Sequence, residues 1–505
     1  MRLLFILPEY RKEPAGGIRT FYCNLLPALA KAGCQVKALV VHRGMFDAPS
    51  FTDEGGVEVE YLRSAIFEKH SRIVAASYMA GYPALGHFVP MGLAAYEQAE
   101  AGEGYDLVEL TDWPLYFLPW VGYGARVPFT ISLHSTIGQM RAFEPLPGWE
   151  METHFIRLLE AAAFSAAPSV HTNSNLNARY WEGITNRKVD VLLPLMGENS
   201  LTTENTECTE LEAGACLAGQ AGASEPDSLA SELADSPVSE SLSRSARGPA
   251  SSPDIAPEAQ ALDAGRSTLD SAPRVRGAVF ARLQNWKGAE VLCEALRLVS
   301  EVSVEWYGRT VTGTDGKRSY AEELEEKFPD IFGNQLLHRG EVSREEAIRA
   351  MRSVDFVCVP SLWDVFNLTV VEAMQQGAVV ICSRQAGAEM LVADGRNAFL
   401  FDPSSTKNLV EVLRHFAGLS IERREEIGAA AKQTILENLD LASLTEARVS
   451  FYRSILDASP SHAASFFLKS LCNFPESPIR KRRTICSKVA NILQRLPVFQ
   501  ARGGN

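Results

Sequence analysis

Two basic residues, Arg282 and Lys287, stand five positions apart directly after an apolar run at residues 275–281. The run is typical of a buried strand, and apolar residues then recur at helical spacing from 289 to 299. At the N-terminus of a helix, free N–H groups and the helix dipole favour bound anions. The pattern therefore predicts a diphosphate site, although two solvated surface cations would show the same spacing.

Two acidic residues form a second candidate group within residues 360–374. Asp364 lies in the loop after a predicted strand, 354–359, and Glu372 lies two turns on in the following predicted helix. A carboxylate in the loop can bind sugar hydroxyls, and one in the helix can accept two hydrogen bonds from ribose hydroxyls. Between them, the N–H groups of Asn367 and Leu368 open the helix where a phosphate fits. The spacing alone is a weak signal, because two solvated acids would also show it.

A third group lies in the first part of the chain. Gly16 and Gly17 follow the apolar run 2–7, and His134 ends the apolar run 129–133. Glycine lets the backbone approach a ligand closely, and the end of a parallel strand is a favoured place for a functional side chain. A purely structural histidine remains the alternative for His134.

The segments that carry these residues alternate apolar runs with helical patterns, which predicts parallel βα units. In the first part of the chain, strands are predicted at 2–7, 36–41, 107–110, 128–134 and 189–193. In the second part, they are predicted at 275–281, 302–306, 354–359 and 378–382. The fold class is therefore α/β, with two Rossmann-like, doubly wound domains over residues 1–197 and 274–440. Such sheets bind ligands at the carboxyl ends of their strands, where all three candidate groups fall.

Two further segments differ in composition from these domains. Residues 198–273 are rich in Ser, Ala, Glu, Pro and Gly and contain no aromatic residue, so they cannot bury enough apolar surface to fold. They are predicted to form a disordered, acidic interdomain insertion, with a binding segment for a basic partner as the alternative. Residues 459–505 form a basic tail with an amphipathic pattern, which predicts either contact with an anionic membrane surface or packing on the protein itself.

The composition as a whole excludes some classes of protein. A formal net charge of −13 argues against nucleic acid as a partner. The nine cysteines show no C-x-x-C pair, which favours reduced thiols in a cytoplasmic protein. The first apolar run stops at Pro8, too early for the apolar core of a signal peptide. The expected location is the cytoplasm, with the tail allowing contact with the cytoplasmic face of the membrane.

Taken together, these segments resemble the family 4 glycosyltransferases of the GT-B fold, which are retaining enzymes. The resemblance covers residues 1–197 and 274–455 and is strongest from 354 to 403. It rests on the elements Ala281-Arg282-Leu283 to Lys287-Gly288, Pro360-Ser361 with Asp364 to Met374, Tyr105 to Glu109, Thr172-Asn173-Ser174 and Leu193-Pro194. It implies that the two domains face each other across a cleft and that a helix at 441–458 packs back on the first domain.

The resemblance also implies a role for each candidate residue. The donor would be a nucleoside-diphosphate sugar, and its binding residues would be Gly16, Gly17, Arg282, Lys287, Phe366, Asn367, Leu368, Glu372, Gly387 and Glu389. Within that set, Arg282 and Lys287 would neutralise the diphosphate and Glu372 would hold the ribose. Asp364 and His134 would be the catalytic pair, in contact with the transferred sugar.

Three residues depart from the family pattern: Asp364 replaces Glu, Asn367 replaces Gly, and Ala281 replaces Gly. The shorter acid puts the sugar preference in doubt, and Asn367 is tolerable if that position only lends its N–H group. The long insertion stands where the family has a short connection.

The function that follows is transfer of a hexose from the nucleotide sugar to a hydroxyl of a glycan or lipid-linked acceptor. No cofactor and no essential metal are expected, because the two cations serve the diphosphate. Acceptor contacts are expected near residues 66–96 and 113–120. A sugar-nucleotide epimerase and a non-catalytic sugar-nucleotide-binding scaffold remain as alternatives.

Overall fold

The first domain is built on an eight-stranded sheet. The computed structural model describes residues 1–11, 17–144, 148–196, 275–313 and 318–458, together with Leu468. The strands of the first sheet are β1 Arg2–Leu7, β2 Gln35–Val40, β3 Phe51–Thr52, β4 Glu58–Tyr61, β5 Leu107–Thr111, β6 Phe129–Leu133, β7 Ser169–Thr172 and β8 Asp190–Val191. Their order in space is β3-β4-β2-β1-β5-β6-β7-β8, and every pair is parallel except β3 with β4.

Helices cover both faces of this sheet. They are Gly17–Lys31, Ser64–Ala75, Pro83–Gln98, Leu118–Tyr123, Ile137–Phe143, Glu150–Ala166 and Asn175–Thr185. Because both faces are covered, β5 and β6 are buried along their whole length, which explains why they read as continuous apolar runs in the sequence.

The second domain repeats the same construction with six strands. They are β9 Val275–Phe280, β10 Val302–Tyr307, β11 Leu336–Gly340, β12 Phe356–Val359, β13 Val379–Ser383 and β14 Phe399–Phe401. Their order is β11-β10-β9-β12-β13-β14, and all pairs are parallel. The helices are Ala289–Leu296, Tyr320–Lys327, Arg344–Ser353, Leu368–Gln375, Thr406–Ala417 and Ile421–Asn438.

The predicted α/β class with two Rossmann-like domains is confirmed. The predicted strand at 189–193 is reduced to Asp190–Val191. The sequence reasoning missed five strands, β3, β4, β7, β11 and β14, and β11 and β14 show why. β11 is only partly buried at the sheet edge, and β14 has three residues, so neither carries a long apolar run.

The last described helix, Leu441–Asp457, follows the second domain in sequence but packs on the first. Its Val449, Tyr452 and Ile455 belong to the same buried cluster as Phe5 and Tyr22. The insertion predicted at 198–273 and the basic tail predicted at 459–505 lie outside the described residues, apart from Leu468. No helix of the described part is long and apolar enough to cross a membrane.

We predict that Gly277→Ala lowers the melting temperature of the protein. Gly277 of β9 pairs in register with Phe356 of β12, and a Cβ atom at Gly277 would lie 2.3 Å from Cζ of Phe356. Relieving that overlap should cost about 1–3 kcal/mol. The measurement is thermal unfolding followed by circular dichroism.

The control for this substitution is Gly183→Ala. Gly183 lies in the helix Asn175–Thr185 and a Cβ there meets no atom within 4 Å, so alanine should leave the melting temperature unchanged or raise it. Combining Gly277→Ala with Phe356→Leu should recover part of the loss. Equal melting temperatures for Gly277→Ala and the wild type would contradict this account of the packing.

Candidate active site

The loop that carries Arg282 and Lys287 lies at the carboxyl end of β9 and leads into the helix Ala289–Leu296. Gly288 makes this position possible. It has a φ of +79°, and a Cβ atom there would lie 1.9 Å from the carbonyl oxygen of Pro360. Glycine therefore lets this loop approach the loop after β12, which carries Asp364.

Lys287 joins these two loops directly. Its Nζ lies 2.8 Å from Oδ2 of Asp364, and the two side chains are 14% and 13% exposed. The same Nζ lies 4.3 Å from the ring centroid of Trp286. Lys287 is therefore not a solvated surface cation, which removes that alternative for one of the two basic residues.

Asn367 does more than lend a backbone N–H group. Its Nδ2 donates to Oδ2 of Asp364 at 3.0 Å, and its Oδ1 accepts from the backbone N–H of Thr369 at 3.0 Å. It is thus the N-cap of the helix Leu368–Gln375. The side chain of Asn367 therefore holds Asp364, in addition to the N–H group that its backbone offers.

Glu372 lies on the same helix and is held from a neighbouring one. Its Oε1 lies 2.7 Å from Nη2 of Arg344, and its side chain is 19% exposed. Burial raises the pKa of Glu372, and the Arg344 guanidinium opposes that rise. The sequence reasoning missed Arg344, because only the packing of the helix Arg344–Ser353 brings it to Glu372.

The remaining donor-side candidates surround Asp364. The backbone N–H of Gly387 donates to the carbonyl of Asp364 at 3.0 Å, so the 3₁₀ turn Gly387–Leu391 lies against the Asp364 loop. Glu389 lies in this turn and is partly buried, as are Phe366 and Leu368. A Cβ atom at Gly387 would lie 2.6 Å from Oγ of Ser174 in the first domain, so this turn also contacts the opposite domain.

The two domains meet beside the Lys287 loop. The rings of Phe143 and Trp363 stack with centroids 5.6 Å apart and 8° between their planes. Nδ2 of Asn285 donates to the carbonyl of Phe143 at 3.1 Å.

Glu144 directly follows Phe143 in the sequence and faces the two candidate cations, Arg282 and Lys287. Burial raises its pKa, and the charges of Arg282 and Lys287 oppose that rise. A carboxyl group of the first domain thus faces the positive loop of the second, a feature that sequence reasoning did not find.

On the side of the first domain, His134 directly follows β6 and is 8% exposed. Its Nε2 lies 3.1 Å from Oγ of Ser132 and 3.3 Å from Oη of Tyr22. Burial, helped by the charge of Arg448, lowers the pKa of His134 to about 3, so the imidazole is neutral.

The chain then runs from His134 through the helix Ile137–Phe143 to the aromatic contact with Trp363. The other candidates of this domain are the two glycines. Gly17 is exposed at the start of the helix Gly17–Lys31, and Gly16 lies outside the described residues.

Two buried carboxyl groups in the first domain were also missed. Asp112 follows β5 as His134 follows the adjacent β6, and burial raises its pKa to about 7. Glu160 accepts a hydrogen bond from the N–H of Gly138 at 3.1 Å, and burial raises its pKa to about 8. Asp112 could have been found from the sequence because it closely follows a predicted strand. Glu160 lies inside a helix, where no sequence pattern marks it. Within the described ranges, no three His, Cys, Asp or Glu side chains are grouped to hold a metal ion.

We predict that Glu160→Gln makes the stability of the protein less dependent on pH. The pKa of a glutamate side chain in the unfolded chain is about 4, so the folded state binds the proton of Glu160 more tightly. Its contribution is fully present below the unfolded pKa and is lost as the pH rises through the folded pKa of about 8. The melting temperature of the wild type should therefore fall more than that of the variant between about pH 5 and about pH 9.

The matched control is Glu426→Gln, because the Glu426 side chain is 65% exposed. This variant should follow the wild type across the pH range. If Glu160→Gln and Glu426→Gln had the same pH profile, Glu160 would not be a protonated group in the folded protein.

Comparison with known proteins matches both domains to family models. The model described as "Glycosyl transferase 4-like domain" matches residues 16–194, and the model described as "Glycosyl transferases group 1" matches residues 278–434. Together the two ranges take in well over half of the chain and include all the candidate site residues, from Gly16 to Glu389.

Among curated proteins, the chain is similar to a sulfoquinovosyl transferase of Arabidopsis thaliana, at 29% identity over 29% of this chain and 27% of that protein. It is also similar to a D-inositol 3-phosphate glycosyltransferase of Corynebacterium diphtheriae, at 26% identity over 37% of this chain and 44% of that protein. In each case, the chain spans less than half of the length of the relative.

Among solved structures, a sucrose-phosphate synthase from Thermosynechococcus elongatus has a TM-score of 0.59 at 15% identity, over 91% of this chain and all of that one. Anabaena HepE, solved in complex with UDP and glucose, has a TM-score of 0.56 at 19% identity, over 90% of this chain and all of that one. At these identities the likeness concerns the fold, which is GT-B. With both domains matched by glycosyltransferase models and arranged in this fold, the chain belongs to the family 4 glycosyltransferases of the GT-B type.

Proposed function

We propose that this enzyme transfers a hexose from a nucleoside-diphosphate sugar to an acceptor hydroxyl with retention of anomeric configuration, in the synthesis of a cell-surface polysaccharide, glycan or glycolipid. The observation that carries the proposal is the contact of the Lys287 and Asp364 loops. A cation, a carboxylate and the N-terminus of the helix Leu368–Gln375 meet there within hydrogen-bonding distance. That combination suits an anionic leaving group attached to a sugar.

The diphosphate of the donor would be bound by Arg282 and Lys287 and by the backbone of residues 366–368. As the glycosidic bond breaks, negative charge develops on the diphosphate, and fixed cations and helix N-terminal N–H groups stabilise that charge. Gly387 and Glu389 would close the site on the donor side, and Gly16 and Gly17 would approach it from the first domain. On this account no essential metal is needed.

The ribose of the donor would be bound by Glu372. A carboxylate accepts hydrogen bonds from two neighbouring hydroxyls, and the ion pair with Arg344 favours the ionised form that this requires. Support for a nucleotide ligand comes from the similarly folded HepE, whose structure holds UDP and glucose.

The transferred sugar would lie between Asp364 of the second domain and His134 of the first. Because His134 is neutral, it would orient a hydroxyl by hydrogen bonding rather than stabilise charge as an imidazolium. Phe143 stacks on Trp363 and Gly387 packs against Ser174, so the two domains are in contact next to the Asp364 loop. Exclusion of water at such a contact favours transfer to the acceptor over hydrolysis.

The acceptor would be bound by the first domain, near residues 66–96 and 113–120, as a hydroxyl of a glycan or of a lipid-linked molecule. One relative named a D-inositol 3-phosphate glycosyltransferase and one named a mannosyltransferase favour a hydroxyl acceptor and a hexose donor. The basic tail, residues 459–505, would bring the enzyme to the cytoplasmic face of a membrane. Flotation with anionic liposomes, with and without these residues, tests that contact.

The proposed reaction is tested by incubating the full chain with UDP-, GDP- and ADP-sugars and a panel of acceptors. We expect one donor to release its nucleoside diphosphate in an acceptor-dependent manner, with the anomeric configuration of the product matching that of the donor. Conversion of the donor to its epimer without transfer would overturn the proposal in favour of an epimerase. Tight donor binding without turnover would overturn it in favour of a binding scaffold.

We predict that Lys287→Ala and Glu372→Ala each lower kcat/KM by on the order of 100-fold, because each removes a charged contact to the donor. The measurement is the rate of nucleoside diphosphate release. The control is Lys327→Ala, which breaks an exposed ion pair with Glu290 on the same domain and should leave the rate unchanged. Full activity in both site variants would disprove the site assignment.

We predict that Glu144→Gln tightens the binding of a nucleoside diphosphate. In the absence of donor, the Glu144 carboxylate faces Arg282 and Lys287, where it opposes an incoming anion. The amide keeps the shape and removes the charge, so Kd measured by calorimetry should fall. The exposed acid Glu426 provides a control, because Glu426→Gln should leave Kd unaltered. Weaker binding in Glu144→Gln would show that Glu144 does not compete with the donor.

A further inference from the structure

A buried chain of hydrogen bonds links the last described helix to His134. Its centre is Glu109 on β5, whose side chain has no exposed surface. Oη of Tyr22 donates to Oε1 of Glu109 at 2.8 Å, and Oη of Tyr452 donates to Oε2 at 2.6 Å. Both oxygens of this carboxylate therefore act as acceptors.

Arg448 belongs to the same helix as Tyr452. It determines which atoms donate and which accept in the hydrogen bonds of His171. Nη1 of Arg448 lies 2.7 Å from Nε2 of His171 and 3.9 Å from Oε2 of Glu109. A guanidinium group can only donate, so Nε2 of His171 must accept. The proton of the neutral His171 ring is then on Nδ1, which lies 3.0 Å from Oγ1 of Thr130.

His171 therefore gives no proton to Glu109, although its Nε2 lies 3.6 Å from Oε2 of that residue. The carboxylate of Glu109 receives its hydrogen bonds from Tyr22 and Tyr452 and faces the positive charge of Arg448. Burial raises the pKa of Glu109, and these three groups oppose that rise.

The same reasoning favours a proton on Nε2 of His134. Tyr22 has one hydroxyl proton, and it points to Glu109, so its oxygen can only accept from Nε2 of His134 at 3.3 Å. Oγ of Ser132, at 3.1 Å from the same nitrogen, can accept as well. Within the described residues, both hydrogen bonds of the His134 ring are at Nε2, which leaves the lone pair on Nδ1.

We propose that Glu109 and Tyr22 are positioning residues that hold His134 as its Nε2–H tautomer, so that His134 binds a sugar hydroxyl as a hydrogen-bond acceptor through Nδ1. Neither residue touches the reacting atoms. The inference rests on the proposed glycosyl transfer for the identity of the hydroxyl, but the tautomer itself is a property of the protein alone. It also gives a function to the helix Leu441–Asp457, because the positive charge of Arg448 favours the ionised Glu109 that accepts from Tyr22.

The tautomer is tested by nitrogen NMR on the full chain labelled with ¹⁵N-histidine. Protonated and unprotonated ring nitrogens have well-separated chemical shifts, and the His134 signals are assigned by their loss in His134→Gln. We expect a protonated Nε2 and an unprotonated Nδ1. A protonated Nδ1 would overturn the proposal, whether or not the protein proves to be a transferase, so this result is separable from a failure of the proposed function.

The role of Tyr22 is tested by a matched pair of variants. Tyr22→Phe and Tyr452→Phe each remove one hydroxyl from Glu109 and keep the ring, but only Tyr22 also contacts His134. Both should lower the melting temperature to a similar extent. Tyr22→Phe should in addition lower kcat by on the order of 10-fold to 100-fold with little change in donor KM, and it should shift the NMR signals of His134.

Tyr452→Phe should keep kcat within about twofold, because the hydrogen bond from His134 to Tyr22 remains. Equal losses of kcat in the two variants would show a general structural effect and overturn the positioning role of Tyr22. An unchanged kcat in Tyr22→Phe would overturn it as well. Should Tyr22→Phe fail to fold, the tautomer measured on the wild type still decides the proposal.

Discussion

The ion pair between Lys287 and Asp364 is the contact on which the site depends. It joins the loop after β9 to the loop after β12, two adjacent parallel strands whose carboxyl ends meet at one edge of the sheet. Removing two charges from water is costly unless their remaining hydrogen-bonding capacity is used. Asn367 donates to the same carboxylate oxygen, and the Trp286 ring lies beside the ammonium group. Both side chains are therefore in position before any donor arrives, so that Lys287 can exchange the carboxylate for a diphosphate.

The two domains are connected around this site by contacts of different kinds. Beside the ion pair, Phe143 stacks on Trp363, and Glu144 faces the cations of the second domain. In the first domain, the helix Leu441–Asp457 inserts Arg448 and Tyr452 into a fully buried polar network that reaches His134 through Tyr22. One end of the helix Ile137–Phe143 is close to His134 and the other reaches the aromatic contact. Displacement of either domain would thus disturb both His134 and the donor loops, so donor binding and transfer are expected to be coupled.

The sequence alone was sufficient for those parts of the structure that depend on local pattern. Strands buried on both faces appear as apolar runs, and Arg282, Lys287 and Asp364 were found because they directly follow such runs. Residues that reach the site through packing were not found: Arg344 meets Glu372 across two helices, and Phe143 meets Asn285 over 142 positions of sequence. The contacts among Glu109, Tyr22 and Arg448 were not found either. No periodic pattern in the sequence marks these residues, and they come together only because the helix Leu441–Asp457 packs back on the first domain.

In the proposed function, Lys287 exchanges Asp364 for the diphosphate of a donor and leaves Asp364 available to the sugar. The most direct measurement is a structure of the full chain with a bound nucleoside diphosphate. It should show Nζ of Lys287 at a diphosphate oxygen, no longer paired with Asp364, with Asn367 still holding that carboxylate. A nucleoside diphosphate bound elsewhere, with the Lys287–Asp364 ion pair intact, would contradict the account.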